Sequence, residues 1–154
     1  MSNTIVITRT FDATRERVFR AWTDPAELAA WYGPEQFDTP RERIAIDLRI
    51  GGRYELTMVQ RDSGAEFPAR YEIVELVEPA LLVLRSAPMP EMGMPDPVVT
   101  RVELEDLGGR TRMTLTDGPY PERIRAEDGW VSSFEKLAEH VATPAASSAP
   151  GTRT

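Results

Sequence analysis

The feature that most constrains this chain is an alternation. Thr100, Val102 and Leu104 stand opposite Arg101, Glu103 and Glu105, and Thr111, Met113 and Leu115 stand opposite Arg110, Arg112 and Thr114. A period of two sends successive side chains to opposite faces of a strand, so each segment has one apolar and one solvated face. A sheet of such strands needs a cover for its apolar side. One segment is long enough to supply it. From Glu127 or Asp128 onward, Trp130, Val131, Phe134, Leu137, Ala138 and Val141 recur at offsets 0, 1, 4, 7, 8 and 11, the spacing of an amphipathic helix. The chain is therefore expected to be α+β, with one sheet packed on one long helix.

The remaining segments fill in the order. Residues 3–10 are β-branched and alternating, which predicts a first strand, and Asp12 can cap the helix after it. Val18, Phe19 and Trp22 share one face of that short helix, which ends near Thr23. Asp24 then begins a second helix, with Pro25 at its first position, Glu27 completing a D-x-x-E capping pattern and Gly33-Pro34 closing it. Strands are expected at 43–50, 53–60, 66–77, 81–85, 98–105 and 110–116, with Gly51-Gly52 turning the first hairpin. That makes seven strands in an antiparallel meander. Residues 1–142 read as a single domain, and 143–154 have too little hydrophobicity to pack and read as a disordered tail.

Composition narrows the partners. A formal charge of −7 repels a phosphate backbone, so no nucleic acid is expected. No apolar run approaches the roughly 18–20 residues that span a bilayer, and the start, MSNTIVITRTFD, lacks the apolar core of a signal peptide, so we expect no membrane and a cytoplasmic location. With no cysteine and one histidine, neither a zinc site of the usual ligands nor a histidine-based triad can be assembled. No metal or other cofactor is implied, and the chain is expected to be a monomer or weak homodimer.

Residues that could carry chemistry are few. His140 falls in the last turn of the terminal helix, where a cation meets the helix dipole favourably, and Ser132 and Ser133 have no evident base. Glu75 is the candidate polar group in a cavity. Strict alternation from Phe67 through Ala69, Tyr71 and Ile73 places it on the apolar face, unless a bulge turns it outward or it pairs with Arg49 or Arg70. Trp31, Tyr32, Phe37, Tyr54, Leu56, Met58, Tyr71, Met113, Trp130 and Phe134 are candidates to line the space between helix and sheet, and would equally close a solid core. In the proline-rich loop from Ala87 to Pro97, Met89, Met92 and Met94 offer an adaptable apolar surface that can lid a cavity or meet a partner.

Several separated motifs carry a family likeness in the right order: R-x-F-D-A-x-x-E-x-V-F-x-A-W-T-D-P-x-x-L-x-x-W-Y-G-P from Arg9 to Pro34, Asp47-Leu-Arg-Ile-Gly-Gly-Arg-Tyr54, Tyr71-x-x-x-Glu75, and Gly129-Trp130. The chain resembles the activator-of-heat-shock-protein-90-ATPase-like family over about residues 3–142, with Thr14 standing where the family often has proline. The resemblance implies the START-related, birch-pollen-allergen-like helix-grip fold, a curved seven-stranded antiparallel sheet wrapped around a long C-terminal helix. For function it implies three readings. The first is a non-enzymatic protein holding a small hydrophobic molecule, lipid or polyketide-like, in an internal apolar cavity. The second is an interaction module with a chaperone as partner. The third is a cyclase- or aromatase-like enzyme with Glu75 or a tyrosine as acid or base.

Overall fold

A computed structural model describes residues 2–88, 90, 96–121 and 126–142 of the 154-residue chain. Strand β1 (Ser2–Phe11) leads into helices α1 (Arg15–Thr23) and α2 (Pro25–Trp31). Two short strands come next, β2 (Phe37–Asp38) and β3 (Ala45–Ile46), separated by a 3-10 turn at Arg41–Arg43. The meander then runs through β4 (Arg53–Gln60), β5 (Glu66–Val77), β6 (Leu81–Ser86), β7 (Val99–Asp106) and β8 (Thr111–Pro121), and α3 (Ala126–Ala142) closes the domain. All pairings are antiparallel, in the order β1-β8-β7-β6-β5-β4-β2, with β3 also paired to β4. The sheet curls into a half-barrel and α3 packs on it, as the alternation requires. Among the described residues no helix is long and apolar enough to cross a membrane.

Seven strands lie on the continuous path, the number expected, but their membership differs. The strand expected at 43–50 shrinks to Ala45–Ile46, leaving Leu48 and Ile50 exposed. The cause is the tight loop after it. Gly51 N–H donates to the Ile73 carbonyl at 2.7 Å and Ile73 N–H to the Gly52 carbonyl at 2.9 Å, so the glycines extend β4 along β5 instead of turning a two-residue hairpin. The loop folds back so closely that a Cβ on Gly52 would lie 2.0 Å from the Asp47 carbonyl oxygen. Phe37–Asp38, an unexpected strand, pairs with Gln60 and Val59 at the sheet's end.

The two short helices make a corner whose backbone groups find partners in an unusual way. Thr14, not Asp12, caps α1, accepting from Arg17 N–H at 3.2 Å. Asp24 caps α2, its side chain accepting from Ala26 N–H at 2.9 Å. The Ala21 carbonyl would ordinarily receive the N–H four residues on, but that residue is Pro25, which has none. The Trp31 indole Nε1 donates to it instead, at 2.9 Å. Likewise the Trp22 carbonyl, whose helical donor Ala26 is engaged by Asp24, takes the Tyr54 hydroxyl at 2.6 Å. The corner's orphan carbonyls are thus satisfied by buried aromatic side chains.

Those rings form the centre of the core. Trp22, Trp31, Tyr54 and Phe134 are buried, with Trp31 edge-on to Trp22 at 4.8 Å and Trp130 at 5.9 Å from Trp22. A charged clamp ties the three helices together. Glu27 does not close a capping box; its carboxylate binds Arg17, Arg20 at 2.9 Å and His140 at 3.2 Å, while Arg17 also donates to the His140 carbonyl.

Candidate functional site

Between the start of α3, the exit of α2 and the concave sheet face lies a partly open cavity of about 310 Å³. Tyr32, Gly33 and Pro34 line it from the α2 exit, Met58 from β4, Ala69 and Tyr71 from β5, Tyr120 from β8, and Gly129, Trp130 and Ser133 from α3. Gly129 lies close to the corner, where an added Cβ would meet Pro34 Cγ at 3.4 Å, about van der Waals contact. The wall is largely apolar, and no Asp, Glu, Lys, Arg or His stands among its lining residues.

Behind this wall sits Asp117, which is fully buried. Thr100 Oγ1 donates to its Oδ1 at 2.7 Å, while the Tyr120 hydroxyl and Trp130 Nε1 donate to Oδ2 at 2.7 and 2.6 Å. Burial raises its pKa, and the bonds from Tyr120, Thr100 and Trp130 oppose that rise by stabilising the ionised form. Beside this network, burial pushes the Tyr71 phenol up to about 12, with the nearby Asp117 adding to the rise and Tyr32 and Thr100 opposing it. Burial likewise raises the Tyr32 and Tyr120 phenols. At neutral pH these are protonated, uncharged groups that can hydrogen-bond a guest, and they are poor bases or nucleophiles.

Sequence reasoning placed ten aromatic and apolar residues around the space, and the structure divides them. Tyr32, Met58, Tyr71 and Trp130 line the cavity. Tyr54, Leu56, Met113 and Phe134 instead fill solid core, as does Trp31, with the Tyr54 hydroxyl and the Trp31 indole committed to the corner. Phe37 lies away from the cavity, packed against Phe67 with ring centres 5.6 Å apart, because β2 carries it to the sheet's end. Met89, Met92 and Met94 lie outside the described residues.

Glu75 is not a cavity group. The register of β5 on β6 shifts between Ile73 and Glu75, so Val74 is an extra residue and the alternation reverses phase. The Glu75 carboxylate points outward, 56% exposed, 3.9 Å from Arg101 rather than beside Arg49 or Arg70. An acid–base role for it in the cavity is thereby removed. Ser132 accepts from Glu35 N–H at 2.8 Å, joining α3 to the segment after α2.

The residues that sequence reasoning missed are Asp117 and Tyr120. The signal was present: Thr111, Met113 and Leu115 set a phase that reaches Asp117 two residues on, and Asp117 pairs with the inward Thr100. The strand was expected to end at 116, one residue short of Asp117, whereas β8 runs on to Pro121.

A curled antiparallel sheet gripping a long terminal helix, with a tyrosine-lined cavity between them, is a helix-grip protein. Residues 12–142 match the family described as Activator of Hsp90 ATPase homolog 1-like protein, and the chain belongs to that family. Among solved structures, a protein from Chromobacterium violaceum is 29% identical, with a TM-score of 0.82 over 92% of this chain and 99% of that one. Two others share the fold: a protein of this family from Silicibacter pomeroyi (23% identity, TM-score 0.74, 91% of this chain and 98% of that one) and a similar one from Aeromonas hydrophila (22%, 0.75, 91% and 92%). No curated protein matches the chain.

Proposed function

We propose that this protein binds a small, largely apolar molecule between α3 and the sheet. The observation that carries the reading is the space itself. Tyr32, Met58, Tyr71 and Trp130 surround about 310 Å³ of partly open, largely apolar space next to the aromatic core. Small-molecule sites run from about 300 to 1,000 Å³, are mostly apolar and carry a few placed polar groups. This cavity lies at the small end of that range, which favours a guest of one or two rings over a large lipid.

The test is native mass spectrometry of the purified protein against a panel of small aromatic, lipid and polyketide-like compounds, with tryptophan fluorescence as a second readout because Trp130 forms part of the wall. Binding should leave a 1:1 adduct and shift the emission. Met58→Trp, which fills the space, should abolish both while the far-UV circular dichroism stays unchanged. No adduct and no emission change across the panel would overturn the reading.

A further inference from the structure

We propose that Tyr32 and Tyr71 are a pair of donors that receives an accepting oxygen of the guest, so that the cavity takes a ring ketone in preference to a hydrocarbon of the same shape. This rests on the cavity-binding reading above and specifies the chemistry of its ligand and the residues that recognise it.

The inference comes from which hydroxyls are already spent. Tyr120 gives its proton to Asp117 Oδ2 at 2.7 Å, where Trp130 Nε1 also donates at 2.6 Å. Three hydroxyls on the wall are left over. Those of Tyr32, Tyr71 and Ser133 make no hydrogen bond of normal geometry among the described residues, although Tyr32 is only 8% exposed and Ser133 only 3%. Nor are they walled off. The buried side-chain atoms without a partner are Arg15 Nε, Arg17 Nε and Trp22 Nε1 among the described residues, and none of the three oxygens is one of them, so each opens onto the cavity. Tyr32 and Tyr71 also stand near enough for each to act on the other's phenol. Buried polar groups nearly always have a partner, so unspent ones gathered on one wall point to a partner that comes from outside.

A guest must then replace what solvent gives these groups. Because the cavity is partly open, water can meet the hydroxyls in the free protein. A hydrocarbon would expel that water and strand them, and each stranded donor loses a hydrogen bond that it had in solvent. A carbonyl oxygen has two lone pairs and can accept from Tyr32 and Tyr71 together. Burial raises both phenols, so both remain protonated donors at neutral pH. Tyr120 cannot join them as a donor, because Asp117 holds its only proton.

Equilibrium dialysis of the full chain at neutral pH against α-tetralone and its hydrocarbon counterpart tetralin separates the cases. A merely apolar cavity would favour tetralin, because the ketone gives up its bonds to water on entering. We expect the reverse, with tetralone binding on the order of tenfold more tightly, the worth of about one hydrogen bond. Tyr71→Phe and Tyr32→Phe each keep the ring and remove one donor. Each should weaken tetralone by about the same factor and leave tetralin unweakened, and should either variant fail to fold, the other decides. The infrared stretch of the bound carbonyl is a second readout: it should lie below its frequency in an apolar solvent and move back up in either variant. Equal or tighter binding of tetralin to the unaltered protein, or a tetralone affinity and stretch that neither variant changes, would overturn the proposal while leaving the cavity reading intact. Failure of both compounds to bind would overturn both.

Discussion

Trp31→Ala tests the role of the aromatic corner most directly. The ring is fully buried, edge-on to Trp22 at 4.8 Å, and its Nε1 is the donor found for the Ala21 carbonyl at 2.9 Å. Truncation removes two things. The void left by a buried tryptophan costs about 3–5 kcal/mol, and a buried carbonyl stripped of its partner costs about 1–3 kcal/mol more. The two effects overlap, because a void of that size can admit a water to the carbonyl, so the sum should be on the order of 4–6 kcal/mol. Domains have about 5–15 kcal/mol in total, so the variant should be marginal. At about 2–4 °C per kcal/mol for a chain of this length, its midpoint should fall by about 10–20 °C.

Urea denaturation followed by far-UV circular dichroism checks this without relying on tryptophan emission, provided the slope of the transition is unchanged. Tyr54→Phe isolates the second effect, since it deletes only the hydroxyl that bonds the Trp22 carbonyl at 2.6 Å and keeps the ring. It should cost about 1–3 kcal/mol. If Trp31→Ala lost less than about 1 kcal/mol, or Tyr54→Phe were neutral, the idea that aromatic donors complete the corner would be wrong.

The same geometry yields three other expected outcomes. Gly52→Ala should destabilise more than Gly51→Ala: its Cβ would collide with the Asp47 carbonyl at 2.0 Å, whereas Gly51 has open space and only a φ of +88° to penalise a side chain, at about 1–2 kcal/mol. Paired thermal melts decide it. Glu27→Ala removes the acceptor shared by Arg17, Arg20 and His140 and should cost about 2–3 kcal/mol by urea denaturation, a figure held down by the partial exposure of all four side chains. Burial raises the Asp117 pKa on folding, so the stability that its protonation gives is fully present below the unfolded value and lost as pH rises through the folded value. Asp117→Asn should lack that downward component, and urea midpoints across the weakly acid range should show a flatter or rising profile for the variant.

Much of this fold could be read from local rules, because those rules need only neighbours in sequence. The Asp24 cap, Pro25 at the first helical position and the periodicity of α3 are of that kind. What escaped depended on contacts distant in sequence. No local signal marks Val74 as an extra residue; the bulge exists because β5 must follow the curl of the sheet, and it alone decides that Glu75 faces water. The loop at 47–52 is likewise set by Ile73, about twenty residues away, which takes the glycine backbone into its own ladder. Asp117 is a different case. Its phase was readable, but a buried aspartate becomes plausible only once Thr100, Tyr120 and Trp130 are seen to converge on it from two strands and a helix.

The corner and the cavity are successive parts of one short segment, and this bears on why the space does not collapse. Trp31 turns inward and is used up in the core, while Tyr32, Gly33 and Pro34 immediately after it become the cavity wall. Each part of that wall is pinned from behind. The Tyr32 carbonyl takes the Thr39 hydroxyl at 2.8 Å, and Gly33, at a φ of +102°, sits where a Cβ would meet both Met58 Sδ and Thr39 Oγ1 at 3.4 Å. On the far side, Asp117 holds the Trp130 indole and the Tyr120 hydroxyl at once. Closing the walls on each other would pull against these buried hydrogen bonds, and breaking one without a replacement costs about 1–3 kcal/mol. The same bonds that satisfy the buried polar groups around the corner and α3 therefore keep the cavity open.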